Sequence, residues 1–133
     1  MRKRANKRAM KSIEDTIRLT KEKIEVKGGE CRYNFRCHMN AVHVALKEGH
    51  PRIAMTVYID DIYPVVHFLN VDPKTGEFID NTLGEWARYN EYFLIKYIPE
   101  EEFTVVGNYL NMYKKELRRG LNFWDKLLSN YEP

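Results

Sequence analysis

The chain has 133 residues, of which 44% are hydrophobic and 13% aromatic, with only seven Gly and five Pro. This length allows one domain with a hydrophobic core and excludes two ordinary domains, and the composition excludes a low-complexity protein. The net charge of +3 is modest, and the apolar stretches are too short to span a bilayer.

The positive charge is concentrated in the first eleven residues, which contain no acid. The basic residues of this arm are Arg2, Lys3, Arg4, Lys7, Arg8 and Lys11. Such an arm could contact a phosphate backbone or an acidic protein surface, but basic chain ends are often solvated extensions, so a nucleic-acid partner is not the favoured expectation. No apolar segment with a small-residue cleavage site follows the arm, and we therefore expect a cytoplasmic protein.

Two helices are predicted in the first half of the chain. Apolar residues recur at helical spacing over residues 10–24, although this helix could begin earlier, and Gly28-Gly29 ends the segment. A second helix of about three turns begins at Cys37. It ends at Gly49-His50-Pro51, because glycine allows the left-handed exit and proline is excluded from a helix interior.

Four segments rich in β-branched and aromatic residues are predicted as strands. They are residues 53–59, 63–71, 77–82 and 92–98. Asp60-Asp61 separates the first two strands, and Asp72-Pro73-Lys74-Thr75-Gly76 forms a hairpin turn, because proline suits its second position and glycine its exit. The first three strands are therefore expected to form an antiparallel meander.

The last third of the chain is predicted to be helical. Three acids follow Pro99, where they favour the positive end of a helix dipole. An apolar stripe runs from Phe103 past Gly120 to Trp124 and Leu128, so the segment is either one bent helix or two helices joined at Gly120. The stripe could also hold copies of the chain together. We expect one domain over residues 1–133, made of a basic arm and helix (1–27), a core (28–98) and a helical segment (99–133).

One cysteine, one histidine and one aspartate occur in an order that suits nucleophilic catalysis. Cys37 opens a helix, where the partial positive charge of the helix start lowers the pKa of a thiol. His67 and Asp80 lie in apolar strands, where a polar side chain needs a partner. We therefore predict Cys37 as the nucleophile, His67 as general base and then acid, and Asp80 as the residue that orients the imidazole of His67.

The register of the hairpin decides which residue faces His67. Pairing Val71 with Gly76 sets His67 opposite Asp80, and a register one residue longer sets it opposite Asn81. Either side chain can orient an imidazole. Asp80 is preferred because a carboxylate also stabilises the imidazolium, and Asn81 is kept as the alternative.

Each site residue also has alternative interpretations. An oxyanion would be met by the Cys37 amide, one of the unpaired donors at the helix start, and by Asn34 or Tyr33 just upstream. Taken singly, Cys37 is also consistent with a small buried hydrophobic residue, and His67 with a core histidine bonded to the backbone. Cys31 could form a disulfide with Cys37, but in a reducing compartment both are expected to be free thiols.

Several short segments resemble the core of the papain-like, transglutaminase-like superfamily of cysteine enzymes. They are Cys37, Asn40-Ala41, Gly49-His50-Pro51, Val65-Val66-His67-Phe68-Leu69-Asn70-Val71 and Gly76-Glu77-Phe78-Ile79-Asp80-Asn81-Thr82. The superfamily pattern is a cysteine at a helix start, a Gly-x-Pro-type exit, a histidine on a strand and a Gly-aromatic-x-Asp strand. The match covers residues 29–82, with Phe68 where tryptophan is common. Compact proteins of this kind occur in bacterial and phage genomes.

The resemblance implies an α+β fold in which the helix that bears Cys37 packs on an antiparallel sheet of about four strands. That sheet would carry His67 and Asp80, with further helices before and after the core. The implied chemistry is acyl transfer from an amide or ester through a thioester, which gives hydrolysis, deamidation or transglutaminase-type transfer. A protein or peptide-like substrate is then expected, with no cofactor, no metal and no membrane partner.

Other function classes stay open. Five residues could be read as zinc ligands, although no pair has a familiar zinc spacing: Cys31, Cys37, His38, His43 and His67. An aromatic cluster could stack bases or line a cleft, and packing is its favoured role: Trp86, Tyr89, Tyr92, Phe93 and Tyr97. The main alternative to an enzyme is a non-catalytic binding protein with the same fold, which binds a protein or nucleic acid through its basic arm or aromatic cluster.

Overall fold

The computed structural model of the chain describes residues 2–31, 36–49 and 52–133, and within them it shows an α+β architecture. Its α-helices are α1 (Arg2–Thr20), α2 (Cys37–Glu48), α3 (Val106–Arg119) and α4 (Phe123–Leu128). Its strands are β1 (Glu22–Ile24), β2 (Val26–Gly28), β3 (Arg52–Asp60), β4 (Tyr63–Val71), β5 (Phe78–Asp80) and β6 (Glu91–Pro99). Two 3-10 helices, Gly84–Tyr89 and Glu100–Val105, precede and follow β6.

The strands form one curled, mixed sheet in the order β1-β6-β3-β4-β5-β2. All neighbouring strands are antiparallel except β2 and β5, which run parallel. Only Glu25 separates β1 from β2, although these strands lie at opposite edges, so the sheet must curl until its edges come close together. The predicted antiparallel pairing is confirmed for β3, β4, β5 and β6. The predicted number of about four strands is wrong, because β1 and β2 add two edge strands and one parallel pair.

Helix α1 includes the basic arm and ends at Thr20, earlier than the sequence pattern predicts. Its buried residues are Ala5, Ala9, Met10, Ile13 and Ile17, and three of them, Ala9, Ile13 and Ile17, belong to the main core. Ile24 lies seven residues after Ile17, a spacing of two helical turns, which explains the longer predicted helix. It lies on β1 instead, because backbone pairing with β6 overrides the helical pattern there.

Alternation along β4 places two kinds of side chain on the two faces of the sheet. Val66 and Phe68 belong to the main core, to which α1, α2 and α3 contribute. Leu69 belongs to a second cluster together with Tyr92 of β6. Because side chains alternate along a strand, His67 shares the face of Leu69, and its ring lies beside that of Tyr92.

The turns at either end of the predicted core follow their sequence signals. Gly49 ends α2 in the left-handed region with φ of 72°, which confirms the predicted glycine exit. His50 and Pro51, which complete that signal, lie outside the described residues. Gly76 has φ of 75° at the exit of the β4–β5 turn, again a conformation that favours glycine.

The register of the β4–β5 hairpin differs from both predicted registers. Val71 lies opposite Phe78, because residues 72–77 form a longer turn than expected. The observed register is two residues beyond the preferred prediction, and a shift of two keeps every side chain on its own face. Asp80 therefore stays on the face of His67, although it is not directly opposite it.

The apolar stripe of the last third is divided at Gly120 into α3 and α4, which is one of the two predicted alternatives. Asn122 starts α4 anew, because its side-chain oxygen accepts a hydrogen bond of 2.9 Å from the Asp125 amide. Leu121 is consequently buried, whereas Trp124 is 64% exposed, so the predicted continuation of the stripe to Trp124 is wrong. None of the described helices is both long and apolar enough to cross a membrane.

Candidate active site

The start of helix α2 holds Cys37 at the surface of the main core, where its side chain is only 8% exposed. The first hydrogen bond that closes this end of the helix joins the Asn40 amide to the Arg36 carbonyl oxygen at 2.9 Å. The amides of residues 37–39 therefore have no partner within the helix, and no described side chain caps it. These amides and the helix dipole make the position favourable for negative charge.

Two buried amide side chains form hydrogen bonds between α2 and the β4–β5 hairpin. Asn70 of β4 donates a hydrogen bond of 2.8 Å to the Ala41 carbonyl oxygen. Asn40 donates one of 3.0 Å to the Thr82 hydroxyl, just beyond β5. Because these partners come from both sides of the β4–β5 hairpin, the helix start is held at the point where the two strands separate.

The β4 strand offers an open edge at that point. In the described chain, β4 pairs with β5 only at Asn70 and Val71, so the edge before Asn70 has no strand partner on this side. The Phe68 amide is instead close enough to the Cys37 sulfur to lower the pKa of the thiol. The start of α2 thus lies beside the part of β4 that has no strand partner on this side, and this brings the thiol next to His67.

The His67 ring lies between a thiol and a carboxylate. Its Nε2 is 2.9 Å from an Asp80 carboxylate oxygen, and the ring is close enough to the Cys37 side chain for each group to shift the pKa of the other. Because Nε2 is used toward Asp80, Nδ1 is the nitrogen left for the thiol. Tyr58 holds the ring edge-on, with centroids 5.0 Å apart and an interplanar angle of 85°.

Asp80 is fully buried and accepts hydrogen bonds from four donors. One carboxylate oxygen accepts from His67 Nε2 and from the Tyr92 hydroxyl, at 2.9 and 2.6 Å. The other accepts from the Thr82 and Leu83 amides, each at 2.9 Å. An ionised carboxylate can only accept hydrogen bonds, so this set of donors matches the charged form of Asp80 and directs the His67 proton to Nε2.

The contacts shift the pKa values of all three groups toward their charged forms. Burial opposes ionisation of Cys37, but hydrogen bonds from His38 and His67 outweigh it and lower the pKa of the thiol to about 6. Burial also disfavours the His67 cation, but the hydrogen bond to Asp80 outweighs it and raises the pKa of the ring to about 9. The Asp80 pKa is lowered despite burial, because the His67 ring donates to it. A thiolate and an imidazolium therefore coexist between these two pKa values.

No protein-family model matches the sequence. No curated protein and no solved structure matches the chain significantly either. The chemistry of the site must therefore be argued from the geometry of the side chains themselves.

A cavity of about 270 Å³ opens beside the thiol and the imidazole. Cys37, His67 and Tyr58 line one part of it, and the cationic side chains Arg36 and Lys114 line another. The described lining contains no Asp or Glu side chain. The surroundings of the sulfur therefore favour a thiolate and an electron-rich substrate oxygen.

Asn81, the alternative to Asp80, does not contact His67. Its side chain donates to the Asn70 side chain at 2.9 Å and accepts from the Glu30 amide at 3.2 Å. The preferred partner Asp80, and not the alternative Asn81, is therefore the residue that contacts the imidazole. Asn34 and Tyr33, the predicted oxyanion donors, lie outside the described residues.

The disulfide, the metal site and the aromatic cluster considered from the sequence can also be compared with the structure. Cys31 and Cys37 are both free thiols, as expected, so the disulfide alternative is wrong. Among the described residues, no three His, Cys, Asp or Glu side chains come close enough to hold a metal ion. The predicted aromatic cluster is not one unit, because Tyr92 and Phe93 are buried in different clusters while Trp86, Tyr89 and Tyr97 are exposed.

Sequence reasoning missed three side chains that contact the site. Tyr92 donates a hydrogen bond to Asp80, Tyr58 packs against His67, and His38 lowers the pKa of the Cys37 thiol. His38 follows the cysteine directly, so its proximity could have been noticed. The two tyrosines lie on strands that are distant from Asp80 in the chain, and only the pairing of β3 with β6 brings them to one face.

Proposed function

We propose that the protein is a cysteine-dependent acyl-transfer enzyme with a papain-like or transglutaminase-like core. The observation that supports this most directly is that one imidazole, His67, is hydrogen-bonded to Asp80 while it lies beside the Cys37 thiol in the same cavity. A structural histidine needs a partner for its buried nitrogen, but it does not need a thiol at the start of a helix on its other nitrogen. An open cavity beside the sulfur provides room for a carbonyl group.

The first half of the reaction forms a thioester. The Cys37 thiolate attacks the carbonyl carbon of an amide or ester, and the carbonyl electron pair moves to oxygen. The amides at the start of α2, which have no partner within the helix, stabilise this oxygen. As the pair returns, the bond from carbon to the leaving nitrogen or oxygen breaks. His67 transfers its Nδ1 proton to the leaving group, so that an amine or alcohol departs and the acyl group stays on sulfur.

The second half releases the acyl group. His67, now neutral, takes a proton from a water molecule or an amine as this nucleophile attacks the thioester, and the thiolate leaves with its electron pair. Water gives hydrolysis or deamidation, and an amine gives transglutaminase-type transfer. Asp80 stays ionised throughout and stabilises the imidazolium. The reaction needs no cofactor, and protein or peptide-like amides are the proposed substrates, with the reducing cytoplasm as the setting that suits two free thiols.

Thiol alkylation tests the state of Cys37. In a Cys31→Ser background, the rate of carboxamidomethylation by iodoacetamide is measured across pH, with Cys37→Ser as the unlabelled control. We expect the rate to rise with a midpoint at about pH 6, the pKa of the thiol. In His67→Ala the midpoint should move to the value of an ordinary thiol, about 8.5. A wild-type midpoint near that ordinary value would refute the proposed nucleophile.

Acylation tests the chemistry itself. With p-nitrophenyl acetate as probe, the Cys31→Ser protein should release nitrophenolate in a burst and carry one acetyl group on Cys37 by mass spectrometry. Hydroxylamine should remove that group, because it cleaves thioesters. His67→Ala should lose the burst, whereas His43→Ala, a substitution on the exposed face of α2, should keep it. A burst that survives in His67→Ala would contradict the proposed role of the imidazole.

The alternative function, a non-catalytic binding protein, is favoured by one observation on α1. Four basic residues and one acid, Asp15, line an exposed groove of about 670 Å³ along this helix: the basic residues are Arg4, Lys7, Arg8 and Lys11. A basic groove attracts phosphate groups or acidic protein surfaces, and such binding weakens with salt. Salt-dependent binding of a fluorescent oligonucleotide, lost in Lys7→Glu with Lys11→Glu, together with an ordinary Cys37 thiol, would favour this function over the enzyme.

A further inference from the structure

Residues 129–133 lie against the open edge of β4, beside the candidate active site. The Val66 amide donates a hydrogen bond of 2.9 Å to the main-chain oxygen of Pro133. Pro133 is buried and lines the same cavity as Cys37 and His67. The access of an external molecule to this side of the cavity is therefore restricted by the chain itself.

Specific contacts hold this segment in place. The Tyr131 hydroxyl donates to the main-chain oxygen of Pro64, at the start of β4. The Arg118 guanidinium donates to the main-chain oxygens of Tyr131 and of Ser129, the latter at 3.0 Å. Because these contacts use main-chain oxygens and one phenol, they define the path of the segment along β4.

The edge of β4 that binds this segment is also the edge that binds the thiol. Val66 and Phe68 are two residues apart, so their amides point to the same side of the strand. The Val66 amide contacts Pro133, and the Phe68 amide contacts the Cys37 sulfur. Two residues of an extended strand span about 7 Å, so a chain bound at Val66 places its adjoining peptide groups next to the sulfur.

We infer that the open edge of β4 is the docking line for the main chain of an extended peptide substrate, and that residues 131–133 occupy this line as an intramolecular blocker. The inference rests on the proposed function, because it names the substrate class of the same site. Addition of a peptide to a free sheet edge is a common mode of recognition in which main-chain hydrogen bonds provide the affinity. The segment must move aside before a peptide can reach the sulfur from this side.

Removal of the blocker provides the main test. In the Cys31→Ser background, residues 131–133 are deleted, and the rate of Cys37 alkylation by iodoacetamide is compared with that of the full chain. We expect an increase of about tenfold, since the free thiol no longer depends on transient opening of the segment. Tyr131→Phe removes only the bond to Pro64 and should give a smaller increase. Glu132→Gln, a change of an exposed side chain in the same segment, should leave the rate unchanged.

A peptide added in trans tests the docking line itself. Acetyl-Ser-Asn-Tyr-Glu-Pro-amide, at about 1 mM, should slow the alkylation of the deletion variant back toward the rate of the full chain. Acetyl-Ser-Asn-Tyr-Glu-pyrrolidide, which lacks the final carbonyl that accepts the hydrogen bond from the Val66 amide, should not. A labelled form of the peptide should bind the deletion variant that also carries Cys37→Ser, measured by fluorescence anisotropy, whether or not the thiol is reactive.

The outcomes separate this inference from the proposed function. If the deletion variant and Tyr131→Phe alkylate at the rate of the full chain while Cys37 keeps its low midpoint and its dependence on His67, the blocker is refuted and the enzyme stands. If deletion accelerates alkylation but the peptide neither protects nor binds, the docking line is refuted. If the thiol has an ordinary midpoint in every variant, the proposed enzyme is refuted. In that case the anisotropy measurement of peptide binding to the Cys37→Ser deletion variant decides whether the docking line exists.

Discussion

Replacement of Asp80 by asparagine is the most informative perturbation of this protein, because it keeps the shape of the side chain and removes its charge. The carboxylate accepts from four donors, two on each oxygen. An amide has one oxygen and one NH2 group, so it can satisfy only one pair of these donors. When the amide oxygen faces the two backbone amides, its NH2 group faces the His67 Nε2, which must then accept a hydrogen bond and place the ring proton on Nδ1.

The expected rise in the Cys37 pKa follows from the loss of the imidazolium. With its proton on Nδ1 and no carboxylate behind it, the His67 ring neither stabilises nor accepts a proton from the Cys37 thiol. The pKa of Cys37 should rise from about 6 to at least the ordinary value of about 8.5, which corresponds to about 3 kcal/mol. The same change should lower the free energy of unfolding by about 2–4 kcal/mol, because buried donors lose a charged acceptor.

The assay is a titration of the thiolate by its ultraviolet absorbance in the Cys31→Ser background, with circular dichroism to verify that each variant is folded. Glu77→Gln serves as the matched control, because it removes an exposed carboxylate from the same hairpin and should leave the midpoint at about 6. A folded Asp80→Asn protein that still titrates near the wild-type midpoint would refute the coupling of carboxylate, imidazole and thiol.

Three further predictions follow from the same structure. Tyr92→Phe removes one hydrogen bond of 2.6 Å from the buried carboxylate, so it should lower the free energy of unfolding by about 1–2 kcal/mol in urea and shift the thiol midpoint upward by less than Asp80→Asn does. The free energy of unfolding of the wild type should be nearly constant from pH 6.5 to about 9, whereas in Cys37→Ser it should fall as the pH rises above 6.5. Gly28→Ala should lower the free energy of unfolding by about 3 kcal/mol, because its Cβ would lie 2.4 Å from a backbone carbonyl oxygen.

The sign of the pH prediction comes from two opposite contributions. The folded pKa of His67 is raised from 6.5 to about 9, so its stabilisation is complete below pH 6.5 and is lost as the pH rises through 9. The folded pKa of Cys37 is lowered from its ordinary value of about 8.5 to about 6, so its stabilisation is complete above that ordinary value and is lost as the pH falls through 6. Between the two folded pKa values the thiol has lost one proton and the ring has gained one. The two contributions to the pH dependence of stability therefore cancel in the wild type, and only that of His67 remains when Cys37 is replaced.

Each of these predictions has a control and a contradicting result. A Tyr92→Phe midpoint shifted as far as that of Asp80→Asn would show that the phenol, not the carboxylate charge, sets the state of the ring. Equal pH slopes for the wild type and Cys37→Ser would show that the thiol and the ring do not share a proton. Gly107→Ala is the control for Gly28→Ala, because its Cβ would meet only His38 atoms at 3.7 Å or more and alanine favours the helix by up to about 1 kcal/mol.

Local signals in the sequence predicted the elements that carry the site. The helix from Cys37 to the left-handed Gly49, the strands β3, β4 and β6, and the joint at Gly120 all agree with the structure. These features depend on residues close together in the chain: a glycine that favours an exit, a β-branched run, a turn rich in Asp, Pro and Gly. The choice of Asp80 over Asn81 as the partner of His67 also agrees with the observed contact, although the register on which it depended was wrong.

The sequence by itself therefore determined which residues could do chemistry and on what kind of element each lies, because periodicity, turn chemistry and helix starts are short-range properties of the chain. Only the tertiary structure decided how these residues meet. The pairing of β1 with β6 and of β2 with β5, the contact of Tyr92 with Asp80 and the path of residues 129–133 along β4 all join different elements of the fold. Their physical cause is backbone pairing and burial across the whole fold, which no local pattern records.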